Sequence, residues 1–386
     1  MLRKLKRVDP LMLWILLCFM AVSTIVIYSA TTNTSYEGLH KNNMMLYAAF
    51  FIPLLVTAWF DYRVVVRYLS VILYVTGIAL LALVMFKGVD INGSVRWIAI
   101  GGQQFQPSEL MKLFTILMLA RFLGRREGEE LRLVRDIVPL GLIIAIPVFF
   151  VLKQPDLGTS IVFAAIFVAM IWMANVRMSH MIIGLSATAA VIVSIVVLYY
   201  TNSDLLAQFI KPHQMARIET FLDPTSDSDQ AWHVMNSIRA IGSGRLSGDG
   251  FTQGFFIHSG YIPYSYSDSI FVVIGEEFGF LGSAMLILLY FLLIYRMVLI
   301  VKDSNNLEGA YLVVGIIAMF TLQIFENIAM HIGLMPLTGL SLPFISYGGS
   351  SLLTNMISIG LALSVKIHQE EPDLLEPLTT KSVMFH

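Results

Sequence analysis

The sequence predicts an all-α polytopic membrane protein of about ten transmembrane helices, and three observations carry that prediction. Of its 386 residues 57% are apolar and 13% are charged, roughly half the ~25% charge of a soluble domain. The apolar residues gather into runs of the length, about 20, that crosses about 30 Å of hydrocarbon. The one cysteine, Cys18, lies inside such a run, so neither a disulfide framework nor a cysteine-based metal site is available. A soluble globule of this size cannot hide so much apolar side chain. The composition therefore excludes disorder, an ordinary cytoplasmic enzyme and nucleic-acid binding through a basic surface.

Taken in order, the apolar runs are 11–30, 44–60, 68–86, 108–123, 137–152, 160–175, 181–200, 280–300, 309–330 and 350–367. The fourth and sixth are short, and the fourth carries charge. The first follows basic residues, yet it is longer than a signal-peptide core and has Tyr28 where a small residue should precede cleavage, so it reads as an uncleaved anchor. Sixteen of the 25 Lys and Arg fall on one side of this pattern, among them Arg3, Lys4, Lys6, Arg7, Arg63, Arg67, Arg126, Arg132 and Arg177. The positive-inside rule makes that side cytoplasmic and puts both termini there. The chain then reads as a single membrane domain, 1–386. Residues 1–10 form a cytoplasmic N-terminus, 201–268 a large extracellular loop between spans seven and eight, and 369–386 a cytoplasmic tail without an apolar period. The inner loops hold no nucleotide-binding loop, so any work must draw on the substrate or an ion gradient.

Polar residues inside or beside these spans are costly and usually have a task. Pro107 and Ser108 suit the start of the fourth span. Glu109 and Lys112, three apart, share a face and can pair, either as a self-satisfied structural ion pair or as part of a site. Asp156, in the run Lys153-Gln154-Pro155-Asp156, either caps the sixth span or serves a site. Asp268 stands where the long loop re-enters the membrane, as a cap or as a reactive carboxylate. Glu276 and Glu277 are adjacent and point to different faces. Gly275 and Gly279 read as close helix packing. The glycine cluster from Gly242 to Gly250 follows no βαβ pattern, which argues against nucleotide binding and leaves backbone flexibility under a bulky ligand. The histidines show no metal-ligand spacing, and His331 reads as a packed residue.

Four separated motifs give a resemblance to the SEDS family (shape, elongation, division and sporulation), the RodA, FtsW and SpoVE proteins. They are Gly93-Ser94-Val95-Arg96-Trp97-Ile98 with Gln106-Pro107-Ser108-Glu109; Gln154-Pro155-Asp156-Leu157-Gly158-Thr159; pieces of the long loop; and Pro336-Leu337-Thr338-Gly339 through Pro343-Phe344-Ile345-Ser346-Tyr347-Gly348-Gly349-Ser350-Ser351. In the loop the matching pieces are Arg217 with Phe221-Leu222-Asp223-Pro224, Ala240 through Gly244, and Asp268 through Gly279. The resemblance implies a ten-span SEDS-type fold and a peptidoglycan glycosyltransferase that polymerises lipid II on the outer leaflet, most like the RodA-type elongation proteins. It also implies a class B penicillin-binding transpeptidase and elongation or division complex proteins as partners. The family's essential loop aspartate maps onto Asp268. There the sequence reads Tyr266-Ser267-Asp268-Ser269, where the family usually has His-Thr-Asp-Phe.

Such a reaction joins a sugar 4-hydroxyl to an anomeric carbon whose leaving group is a lipid pyrophosphate. It needs a base, cations for the pyrophosphate, and apolar grooves for the lipid tails. Asp268 is the expected base. Arg217, Arg239 and Lys153 are expected to meet phosphate, with a divalent cation (Mg or Mn) bridging Asp268 and pyrophosphate as one version. Glu109, Lys112 and Asp156 are expected to shape the cavity floor, Trp97 to offer an aromatic face, and Ser346 to contribute to substrate binding. Two other readings compete: a flippase for the same lipid, which should carry polar residues deep on both sides, and a scaffold that only recruits a transpeptidase. A division or sporulation role is the alternative to elongation.

Overall fold

The computed structural model describes residues 9–91, 94–100, 103–203, 205–206, 212–222 and 229–369. Arg3, Lys4, Lys6, Arg7, Gly93, Asp223-Pro224 and the tail from 370 onward lie outside the described residues. In chain order the helices are α1 (Pro10–Thr31), α2 (Leu39–Trp59), α3 (Tyr62–Lys87), α4 (Pro107–Gly124), α5 (Leu133–Lys153), α6 (Leu157–Met173) and α7 (Met178–Thr201). They continue with α8 (Pro212–Leu222), α9 (Asp229–Ser243), α10 (Phe255–His258), α11 (Ile270–Glu277), α12 (Gly279–Asp303), α13 (Leu307–His331) and α14 (Gly349–His368). Eight of the described helices, α1, α2, α3, α5, α7, α12, α13 and α14, are long and apolar enough to cross a membrane. The two expected spans outside that set are the fourth and sixth. Helix α4 carries Glu109, Lys112 and Arg121, and α6 has only 17 residues.

One feature between α3 and α4 escaped the helix-based reading. Strands β1 (Val89–Ile91), β2 (Ser94–Ile100) and β3 (Gln103–Phe105) form a small antiparallel sheet in the order β1-β2-β3. Val89 faces Trp97, and Ile98 faces Phe105. The alternation Val95-Arg96-Trp97-Ile98 is too short to stand out beside the long apolar runs.

Charge closes the end of the bundle where α1 begins. Asp9 caps α1, accepting from the amides of Leu11 (3.1 Å) and Met12 (3.3 Å). It also accepts from Arg296 Nε of α12 (2.9 Å) and Lys366 Nζ of α14 (2.7 Å). Burial works to raise its carboxyl, but those two cations outweigh burial and hold it below its ordinary value. At the same end Arg67 meets Glu308 (2.8 Å), Arg126 meets Asp136, and Arg177 meets Glu130 (2.8 Å).

At the opposite end, residues 332–348 run without helix through the interior, with Leu340, Leu342, Phe344 and Ile345 buried. Irregular backbone survives there only if its polar groups find partners in protein. The helices supply them. Ser23 of α1 donates to Ile345 O (2.7 Å), Tyr47 of α2 to Phe344 O, and Tyr290 of α12 to Pro343 O (2.5 Å). The Phe344 ring stacks on Phe19 at 5.4 Å.

The glycine cluster turns out to be packing rather than a flexible cradle, which corrects the sequence reading. A side chain at Gly244 would collide with the carbonyl of Gly275, and one at Gly248 with that of Glu277. Asp249 N and Gly250 N donate to the carbonyls of Glu276 (2.9 Å) and Glu277 (3.1 Å). The turn therefore caps the break between α11 and α12.

Candidate active site

Asp268 precedes α11 directly, half-buried, with Ser269 as the cap residue. Its main chain is held from three sides. Asn327 Nδ2 of α13 donates to Asp268 O (2.7 Å) and also to Leu340 O (2.7 Å). His331 Nε2 lies 2.9 Å from the same Asp268 carbonyl. Ser346 Oγ donates to Ser267 O (2.6 Å) and accepts from Leu342 N (2.8 Å), while Tyr347 N donates to Tyr266 O (3.0 Å). Gly339, at φ +74°, passes the carboxylate: a Cβ there would stand 3.6 Å from Asp268 Oδ2 in a conformation that disfavours side chains. Burial pushes the Asp268 carboxyl up to about 6, against the amides of Asp268 and Ser269, which favour the charged form.

A second polar group lies on the other side of Thr338-Gly339. Lys112 Nζ, fully buried, donates to Glu109 Oε1 at 2.8 Å, so the expected pair forms. Asp156 caps α6 through Thr159 N (3.1 Å), which makes it the cap that one reading anticipated. Asp156 is also 3.7 Å from Arg96 and 3.5 Å from Gln106 Nε2. Arg96 comes inward from β2, donating to Gln154 O (3.1 Å) and to Pro155 O. Arg217 of α8, half-buried, is close enough to feel both: burial and then the Arg96 charge lower it from its ordinary value, and Asp156 opposes them. Arg96 pairs with Asp156 at 3.7 Å, and the Arg217 charge lies within electrostatic reach of both.

Glu326 of α13 joins the two groups. It is fully buried, neither carboxylate oxygen makes a well-formed hydrogen bond among the described residues, and the Thr338 hydroxyl, Asp156 and Lys112 all act on it electrostatically. A Cβ at Gly158 would stand 2.9 Å from its Oε1 and 2.8 Å from both Thr338 Cβ and Leu340 Cγ. Only a glycine at 158 lets α6, α13 and the 332–348 segment meet.

The remaining expectations fare differently. Lys153, exposed at the end of α5, folds back over the Phe149 ring at 4.7 Å. Arg239 is exposed on α9. Trp97 is half-buried on β2, beside Arg96. Asn327 and Glu326 were missed because they read as part of an apolar span, although their spacing with Gln323 and His331 marks one helical face. Among the described residues no three His, Cys, Asp or Glu side chains converge as a metal-holding group. Asp268 therefore fits a hard cation only as one carboxylate, with ligand oxygens and water completing the shell.

A family model described as "Cell cycle protein", for FtsW, RodA and SpoVE, matches residues 9–371. Stage V sporulation protein E of Bacillus subtilis (strain 168) is 35% identical over 306 residues, 77% of this chain and 78% of that protein. Peptidoglycan glycosyltransferase MrdB of Escherichia coli (strain K12) is 32% identical over 371 residues, 94% of each. A chain from the solved structure titled "Structural coordination of polymerization and crosslinking by a peptidoglycan synthase complex" superposes with a TM-score of 0.79 at 26% identity, covering 95% of this chain and 99% of that one.

Proposed function

The chain belongs to the FtsW, RodA and SpoVE family and is a multi-pass membrane peptidoglycan glycosyltransferase, and from that premise we propose that it polymerises lipid II into glycan strands with Asp268 as base. The observation that carries this is the placement of Asp268. Its main chain is pinned and its carboxyl is raised to about 6, while Arg96 and Arg217 gather at Asp156 beyond Thr338-Gly339. A base titrating near the working pH combines a usable charged fraction with real proton affinity.

In this reading Asp268 takes the proton of the acceptor 4-hydroxyl as that oxygen attacks the anomeric carbon. The bond from that carbon to the lipid pyrophosphate breaks with its electron pair on phosphate oxygen. Arg96 and Arg217 balance the departing charge. Asp268 would hold a divalent cation, which when bound would supply further positive charge for the leaving group. Glu109, Lys112, Asp156 and Ser346 shape and hold the floor. The basic residues at the Asp9 end support a cytoplasmic assignment for both termini, which puts Asp268 on the outer face. The likeness to a chain of a peptidoglycan synthase complex titled for polymerization and crosslinking supports a cross-linking transpeptidase partner, and elongation is our reading of the role.

The test is lipid II polymerisation by wild type and Asp268→Asn, at matched folding and partner binding. Asn keeps size and capping ability, so a structural role predicts a change within a few-fold, about 1 kcal/mol or less. Loss of a general base predicts a fall of about 10²–10⁴-fold. Wild-type rate should also fall as pH drops through about 6, because the base must be unprotonated. Activity near wild type in Asp268→Asn would sink the assignment. Chelator separates a base acting alone, which survives it, from one that needs the cation.

A further inference from the structure

We propose that His331 and Asn327 are positioning residues for this reaction: from one face of α13 they grip the carbonyl of Asp268 and so fix where its carboxylate points. The proposal rests on the reading of Asp268 as the base. The two residues are four apart on a helix and so lie on one face. Both reach the same oxygen, Asn327 Nδ2 at 2.7 Å and His331 Nε2 at 2.9 Å. A carbonyl has two lone pairs, and here both are taken.

The acceptor also decides the state of the imidazole. A carbonyl cannot donate, so the proton sits on Nε2 and Nδ1 is bare. That Nδ1 is buried and has no partner among the described residues. Filling the same space with an apolar side chain would avoid stripping Nδ1 of water, so packing alone does not account for an imidazole at this place. The bond to Asp268 does. Asn327 extends the grip, because its amide also donates to Leu340 O (2.7 Å). Leu340 follows Gly339, the residue that faces Asp268 Oδ2. Main chain and carboxylate of Asp268 are thus referenced to the same helix. Neither side chain can act on substrate itself, since both are buried. Their effect runs through Asp268, which lies outside any helix and has no ladder of its own to hold it.

The experiment compares full-length wild type, His331→Leu, His331→Gln and Asn327→Leu with the transpeptidase partner present, reading kcat and KM for lipid II together with thermal unfolding. Displacing a reacting group by about 1 Å can cost about 10²-fold, so His331→Leu should lower kcat by about 10- to 100-fold. KM should stay within about twofold, since ground-state binding is not touched. His331→Gln, whose amide can donate to the same carbonyl, should recover most of the loss. Asn327→Leu, close in volume, should behave as His331→Leu does. The proposal is overturned if a folded His331→Leu keeps wild-type kcat, if Gln fails as badly as Leu, or if the losses merely follow the folded fraction. If neither Leu variant folds, the residues are structural and the proposal again falls. Asp268→Asn separates the two readings. Activity in that variant removes the base assignment, whereas an inactive Asp268→Asn beside a fully active His331→Leu removes only the positioning role.

Discussion

At the end of the bundle where α1 begins, Asp9 faces two cations and two amides, Glu308 faces Arg67, and Asp136 faces Arg126. At the other end, Glu326 has the Thr338 hydroxyl beside it but no well-formed hydrogen bond among the described residues, and Glu109 Oε2, Asn327 Oδ1 and His331 Nδ1 are bare. Both ends bury charge inside one protein, so the difference lies in how completely each closes its valences. Buried polar groups in native proteins are nearly always satisfied, and an open one asks for an explanation. Saturated charge at the first end only holds helices together. Open valences at the second end lie along α4 and α13, where Glu109 and Glu326 provide buried groups that water or an ion can complete.

Substitutions at three places probe this contrast, and the largest effect belongs to the pair where both regimes meet. Lys112→Met leaves Glu109 and Glu326 without their buried cation, and should cost about 3–5 kcal/mol of stability. Adding Glu109→Gln should recover part of that, and a double-mutant cycle measured by unfolding in detergent checks the coupling. Purely additive losses would dissolve the pair as an energetic unit.

Asp9→Ala should cost less, about 1–2 kcal/mol, because a cap is lost while Arg296 and Lys366 can still reach water. Polymerisation per folded molecule should be unchanged. The Asp9 carboxyl is held below its ordinary value in the fold. Its contribution is therefore complete above the ordinary carboxylate range and is lost as pH falls through the lowered value. The gap between wild type and Asp9→Ala should close in acid; a gap that widens there would contradict the ion-pair account. The smallest stability effect should come from Glu326→Gln, within about 1 kcal/mol and of either sign, because a neutral amide is cheaper to bury than an unpartnered carboxylate. A loss as large as that of Asp9→Ala would show that Glu326 is saturated after all and break the contrast.

Much of this was legible in the sequence. The apolar runs announced every long helix, and the two weakest runs are the two helices that miss the criteria of length and apolarity. Glu109 and Lys112 could be paired from their spacing alone, and Asp268 was marked by where it re-enters the membrane. Arg96 stood in a quoted motif, but its reach to Asp156 depends on a sheet whose alternation spans only a few residues. His331 was read as packing because one sequence does not reveal which carbonyl an imidazole meets. Position alone marks Lys153 as an outer-face cation, and its resting contact with Phe149 depends on a flexible stem that sequence spacing does not describe. Helix periodicity is local and legible; contacts across 59 or 63 residues, such as those of Asn327 and His331 with Asp268, are not.

The clasp at Asp9 also carries a message about time. Its partners follow it by 287 and 357 residues along the chain. Synthesis at roughly 5–20 residues per second delivers Arg296 long after α1 has entered the membrane, and Lys366 later still, in the last helix. Until then the first helix is capped but not fastened. The clasp of α1, α12 and α14 can close only when α14 has arrived, so a nascent chain interrupted before that helix would lack this fastening.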